Sequence, residues 1–81
     1  MIRTSTTIAF SIPEQGEVKL TIYNLKGQKV KEILNSQLHK GHHKAIWDGR
    51  DSKDNKVSSG IYFISLKSGG KVSTRKAMLM K

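Results

Sequence analysis

Thr7-Ile8-Ala9-Phe10-Ser11-Ile12-Pro13-Glu14-Gln15-Gly16-Glu17-Val18-Lys19-Leu20-Thr21-Ile22-Tyr23 carries the pattern that decides the fold. Ile8, Phe10 and Ile12 alternate with Thr7, Ala9 and Ser11, and Val18, Leu20 and Ile22 alternate with Glu17, Lys19, Thr21 and Tyr23. Successive side chains of an extended strand point to opposite faces, so each segment reads as a strand with one buried face. Pro13 to Gly16 separates the two segments, and Asn24-Leu25-Lys26-Gly27 closes the second with a glycine-bearing turn. The pair is compatible with a hairpin and with strands in facing sheets.

Downstream the same grammar recurs. Val30, Ile33 and Leu34 fit neither strict alternation nor a helix of useful length, which predicts a bulged strand over Lys29 to Leu34. His43, Ala45 and Trp47 alternate with Lys44 and Ile46 after Gly41, with Trp47 as the core anchor and Asp48-Gly49 as the stop. Asp48 to Lys56 contains no apolar residue and reads as a polar loop before Val57 and the Ser58-Ser59-Gly60 turn. Ile61 to Leu66 is nearly continuous in apolar residues, as expected of a central strand. Gly69-Gly70 predicts the last hairpin and Lys71 to Met80 the last strand. In it, Val72, Thr74 and Met78 share one parity while Ala77 and Leu79 share the other, leaving its register open.

No segment places apolar residues at i, i+3, i+4 and i+7 over three helical turns, and turn signals recur about every 8–12 residues. The expected fold is all-β, an Ig-like antiparallel sandwich of about seven strands in a Greek-key arrangement. Its 81 residues make one domain, which buries only about 60–65% of the surface its unfolded chain exposes. Little is left for a deep active-site cleft. With no cysteine, disulfide frameworks, cysteine-based zinc sites and thiol nucleophiles are excluded. The longest apolar runs, Ile61 to Ile64 and Ala77 to Met80, fall far short of the roughly 20 residues of a membrane-spanning helix. Met1-Ile2-Arg3-Thr4 lacks the apolar stretch of a signal peptide, which suggests an excised domain.

Several groupings invite a chemical reading. His39, His42 and His43 carry imidazoles suited to zinc, nickel or copper, but adjacent strand residues face opposite sides and no acid lies nearby in sequence. Asp48, Asp51, Asp54 and Asn55 are oxygen-rich enough for calcium, yet their spacing matches no EF-hand, and Arg50, Lys53 and Lys56 interleave positive charge. Asx-turns are the simpler reading. No metal or other cofactor is expected. No nucleophile elbow, zinc-hydrolase helix or phosphate-binding loop occurs, so no catalytic residue is assigned and an enzyme is not expected.

The net charge is +9, and Lys67, Lys71, Arg75, Lys76 and Lys81 fall in a final stretch without an acid. Phosphate-rich partners would be attracted there. A nucleic-acid partner is disfavoured, because twelve of the fifteen cations are lysine and few aromatic residues remain free to stack.

Ser5-Thr6-Thr7-Ile8, Leu20-Thr21-Ile22-Tyr23-Asn24, Gly27-Gln28-Lys29-Val30, Trp47-Asp48-Gly49-Arg50-Asp51 and Ser59-Gly60-Ile61-Tyr62-Phe63 occur in this order. As a set they resemble the type A C-terminal sorting domains of the type IX (Por) secretion system and the related Ig-like domain of the flagellar hook-capping protein. The resemblance spans nearly the whole chain. It implies a C-terminal module, residues 1–81, of a larger bacterial protein that is secreted or held at the cell surface after passing the periplasm. Its implied partners are the outer-membrane translocon, a sortase and an N-terminal cargo domain of the same polypeptide. By position the sorting signal would lie in Lys71 to Lys81, with Lys71, Arg75, Lys76 and Lys81 as candidates, and Gly27, Trp47, Asp48, Gly49, Gly60 and Tyr62 match scaffold motifs. The alternative implied is a structural Ig-like spacer or assembly module of an extracellular multidomain protein.

This sequence departs from the pattern in three places. Met1-Ile2-Arg3-Thr4 replaces the usual Asn-Pro, Asp54 stands where glycine is frequent, and His39 replaces a frequent proline. Aspartate tolerates a left-handed backbone, so the fold is expected to survive the second change.

Overall fold

The computed structural model describes residues 5–80. Its six strands are β1 (Thr6–Ile12), β2 (Gly16–Tyr23), β3 (Lys29–Leu38), β4 (Gly41–Trp47), β5 (Gly60–Ser68) and β6 (Lys71–Leu79). They form a two-stranded sheet, β1-β4, and a four-stranded sheet in the order β3-β2-β5-β6, with every pairing antiparallel. β1 and β2 therefore lie in facing sheets. The chain changes sheet at the β1–β2, β3–β4 and β4–β5 connections and makes hairpins at β2–β3 and β5–β6.

Alternation sets the core. Ile8, Phe10 and Ile12 of β1 and Val18, Leu20 and Ile22 of β2 are buried, as are Val30, Trp47, Tyr62, Ile64 and Leu79. β5 lies between β2 and β6, as its continuous apolar run predicts. Trp47 is fully enclosed, meets Tyr62 edge to face at 5.0 Å between ring centres, and donates its indole N–H to the Arg50 carbonyl at 2.9 Å. The Tyr62 hydroxyl donates to the Ser58 carbonyl at 2.7 Å. Both polar tips are thus satisfied at the core's edge, which is what lets these rings be buried.

The six strands among the described residues come close to the expected seven or so. Between Asp48 and Ser59 only Val57 is apolar, so nothing there anchors a strand on the core, and a single bridge, Arg50 to Lys56, is all the pairing it achieves. Asp48 and Asp51 hold this loop through their carboxylates: Asp48 Oδ1 accepts from the Arg50 amide at 3.2 Å, and Asp51 Oδ1 from the Lys53 and Asn55 amides at 2.9 Å each. The Ser52 amide donates to the Val30 carbonyl at 3.0 Å, tying the loop to β3.

β3 runs four residues beyond the predicted Leu34, to Leu38, and carries the expected irregularity twice. The register slips opposite Leu20/Thr21 and again opposite Ile22/Tyr23, which leaves Ile33 and Val30 without a cross-strand partner and turns both toward the core. Asn35, Ser36 and Gln37 form an exposed continuation in which pairing to β2, not burial, defines the strand.

Positive φ occurs at several turns, two of which are instructive. Gly69 and Gly70 have φ of 57° and 81° between the paired Ser68 and Lys71, the geometry of a two-residue hairpin turn with left-handed residues at both positions. Asp54 adopts φ 67° as a non-glycine residue. Asp54→Val is expected to lower stability by about 1–2 kcal/mol, since a branched side chain resists that region, whereas Asp54→Gly should stay within about 0.5 kcal/mol of the parent. Urea unfolding midpoints of the two variants check this.

Candidate functional site

The final strand carries three of the four candidate sorting cations, and the fourth, Lys81, lies outside the described residues. Among the described residues β6 pairs only with β5, which leaves its other edge open. Strand alternation divides the three. Lys71 and Arg75 share the parity of Ala77 and Leu79, which point between the sheets, while Lys76 shares the parity of Val72, Thr74 and Met78 on the outer face. This settles the register left open by sequence, since Val72 and Met78 are each about 60% exposed and Leu79 is buried. A run of positive charge in sequence is therefore not one patch in space.

Arg75 does something that the sequence did not indicate. Its guanidinium reaches across from β6 and donates to the Ala9 carbonyl of β1. It acts as a strut between the two sheets. Beside it, along the free edge of β1, runs a groove of about 860 Å³ whose lining includes Phe10 and His43 above and Ile64, Leu66 and Ser73 below. Phe10 and His43 stack with ring centres 5.6 Å apart and planes 24° from parallel. His43 Nε2 lies 2.7 Å from the His39 carbonyl, an acceptor only, so that nitrogen carries the proton.

The histidines do not converge. His42 and His43 face opposite sides of β4, and His39 contributes its backbone carbonyl. Among the described residues no group of three or more metal-ligating side chains is placed to hold an ion. Asp48, Asp51 and Asp54 are likewise occupied locally. Asp48 meets Lys31 at 3.6 Å and Asp54 meets Arg50 at 3.9 Å, surface pairs worth little to stability beside the amide contacts above.

Most of the matched motif residues sit at turns and in the core, around the end of the sandwich where β1 begins and β6 ends. Gly27 has φ 80° in a turn held by Asn24, whose Oδ1 accepts from the Lys26 and Gln28 amides at 2.9 Å each. Gly49 has φ 75° and accepts through its carbonyl from the Val57 amide at 3.0 Å, at the start of the loop that Asp48 caps. Gly60 opens β5 opposite Leu79, and Trp47 and Tyr62 form the aromatic pair.

Residues 3–71 match the family of FlgD Ig-like domains. The chain belongs to the FlgD Ig-like domain family. None of the curated proteins matches it. Among solved structures, FlgD from P. aeruginosa is similar over 93% of this chain, with 25% sequence identity and a TM-score of 0.73. The chain spans 60% of the length of that FlgD structure. The FlgD Ig-like match ends at Lys71, so nearly all of β6 lies beyond it, while the aromatic pair and the Asp48 loop lie inside. The FlgD relationship accounts for the sandwich and fits the hook-capping side of the sequence resemblance.

Neither the groove nor the Arg75 strut was legible in the sequence. Ala9 and Ser11 read only as the polar face of β1, and alternation does not reveal that the sheet holding β1 stops at two strands. A polar-face stretch without a single charge, Thr7, Ala9 and Ser11, is the one available signal of an edge left open.

Proposed function

We propose that this domain is a non-catalytic structural module that makes assembly contacts within an extracellular multidomain bacterial protein. The observation that carries the proposal is membership of the FlgD Ig-like family, together with the fold shared with FlgD, the flagellar hook-capping protein of the sequence resemblance. A small sandwich with a filled core and shallow surface grooves supports contact better than chemistry. Its partners on this reading are protein surfaces, met outside the cytoplasm. Deleting residues 5–80 from the parent protein should abolish its incorporation into the assembly while its other domains stay folded. Normal incorporation of the deleted protein would overturn the reading.

A second reading, a sorting module for a type IX translocon, is favoured by β6 alone. That strand presents Lys71 and Lys76 to solvent, with Val72 and Met78 exposed beside them. A fluorescent reporter fused ahead of residues 1–81 and directed to the periplasm separates the two readings. The contact module predicts periplasmic retention in both a type IX-competent strain and a translocon-deficient twin. Translocon-dependent surface display, lost in Lys71→Gln/Lys76→Gln, would establish the sorting module in its place.

A further inference from the structure

β1 is an edge strand without the usual protection. Natural edges are blunted by lysine, proline or a covering element, yet Thr6–Ile12 contains no charged residue and no proline. Among the described residues it pairs with β4 alone. The hydrogen bond from Arg75 to the Ala9 carbonyl shows which way the backbone faces: Ala9 turns its polar groups away from β4 and toward β6. Antiparallel pairing alternates strictly, so Thr7 and Ser11 turn the same way. Three residues therefore offer backbone donors and acceptors along one open edge.

Beneath that edge lies the groove floored by Ile64 and Leu66 and walled by Phe10 and His43. It exists because two strands face four, leaving part of the larger sheet uncovered. The charge around it is one-sided. Lys44 and Arg75 border the groove, Arg75 and Lys76 border its continuation toward Thr6, and neither stretch is lined by an aspartate or glutamate.

We propose that the gap between β1 and β6 is a strand-acceptor groove, which takes an extended acidic segment of a partner protein as a third strand on β1. Backbone pairing to Thr7, Ala9 and Ser11 supplies the register, alternate apolar side chains of the incoming strand pack over Leu66 and the exposed margin of Ile64, and its carboxylates meet Lys44 and Arg75, with Lys76 at the rim of the continuation. Arg75 exchanges a neutral carbonyl acceptor for a carboxylate, the stronger of the two bonds. The bare edge is thus held closed by one side chain that the right partner relocates. The proposal rests on the contact-module reading and names the surface that makes the contact.

The test uses the intact domain, labelled for amide NMR, and a capped nine-residue peptide of alternating glutamate and valine. Saturable shifts and slowed exchange at the Thr7, Ala9 and Ser11 amides are expected. Lys44→Glu/Lys76→Glu, two exposed positions outside the core, should weaken binding about tenfold or more at low salt. Equal binding by a peptide with alternate N-methylated amides, equal binding by the lysine counterpart, or shifts confined to β6 would each overturn the proposal. So would β1 shifts produced by oligothymidylate and not by the acidic peptide, which would point to nucleic acid. If deletion of the domain blocks assembly of the parent while the peptide leaves β1 untouched, the contact module stands and this groove is not its contact.

Discussion

Trp47→Ala is expected to remove about 3–5 kcal/mol of stability, the largest effect of any single substitution in the domain. The side chain is fully buried, packs edge to face on Tyr62 and covers the end of the core from which the polar loop departs. The core residues Leu20, Ile22 and Leu79 are themselves enclosed, which limits how far the space can collapse. An 81-residue domain has about 4–12 kcal/mol in total, so the variant should be largely unfolded at modest urea concentrations. Trp47→Phe separates packing from hydrogen bonding. It keeps an aromatic ring against Tyr62 but leaves the Arg50 carbonyl without its indole donor, and should cost less than the alanine variant. Urea unfolding followed by circular dichroism ranks the three proteins. An alanine variant as stable as the parent would mean that the core is not organised around this residue.

Removing Lys71 to Lys81 should unfold the domain altogether. β6 supplies the whole outer partner of β5 and places Leu79, 2% exposed, in the core beside Trp47 and Tyr62. Without it β5 loses its outer neighbour and all nine paired positions of the β5–β6 hairpin disappear, a loss of the order of the total stability. Loss of amide dispersion in the truncated protein is the expected result; a folded, cooperative truncation would contradict the packing described here. This bears directly on secretion experiments. Loss of surface display on truncating the last strand would report unfolding as readily as loss of a signal, and only charge substitutions such as Lys71→Gln/Lys76→Gln separate the two. Both positions are solvent-exposed and neither contributes to the core.

The contrast between β2 and β6 explains how far the fold could be read from residues alone. β2 has a packed sheet on one side and an outer face on the other, so Val18, Leu20 and Ile22 declare their direction. β6 lies at an edge over which the smaller sheet does not extend. Its inward positions at one end are the exposed Lys71 and, lining the groove, Ser73 and Arg75, and only Ala77 and Leu79 at the other end meet apolar cover. Hydrophobic pattern weakens wherever the opposing layer is missing, and the exposed Val72 and Met78 then mislead. The same cause hides the candidate site. A run of cations in a strand is distributed to two faces by the backbone, and the contact that joins Arg75 to Ala9 spans 66 residues, beyond the reach of local spacing. The turns at Gly69-Gly70 and Asp54, by contrast, are local, and their residues reveal them.

Thr6 at the start of β1 and Met78 near the end of β6 border the same gap, so the first strand begins and the last strand ends at one pole of the sandwich. The Pro13–Gln15, His39–Lys40 and Gly69–Gly70 turns occupy the other, across a body whose longest dimension is 35 Å. The far turns project away from the pole that holds both strand ends, and so offer themselves to lateral contact.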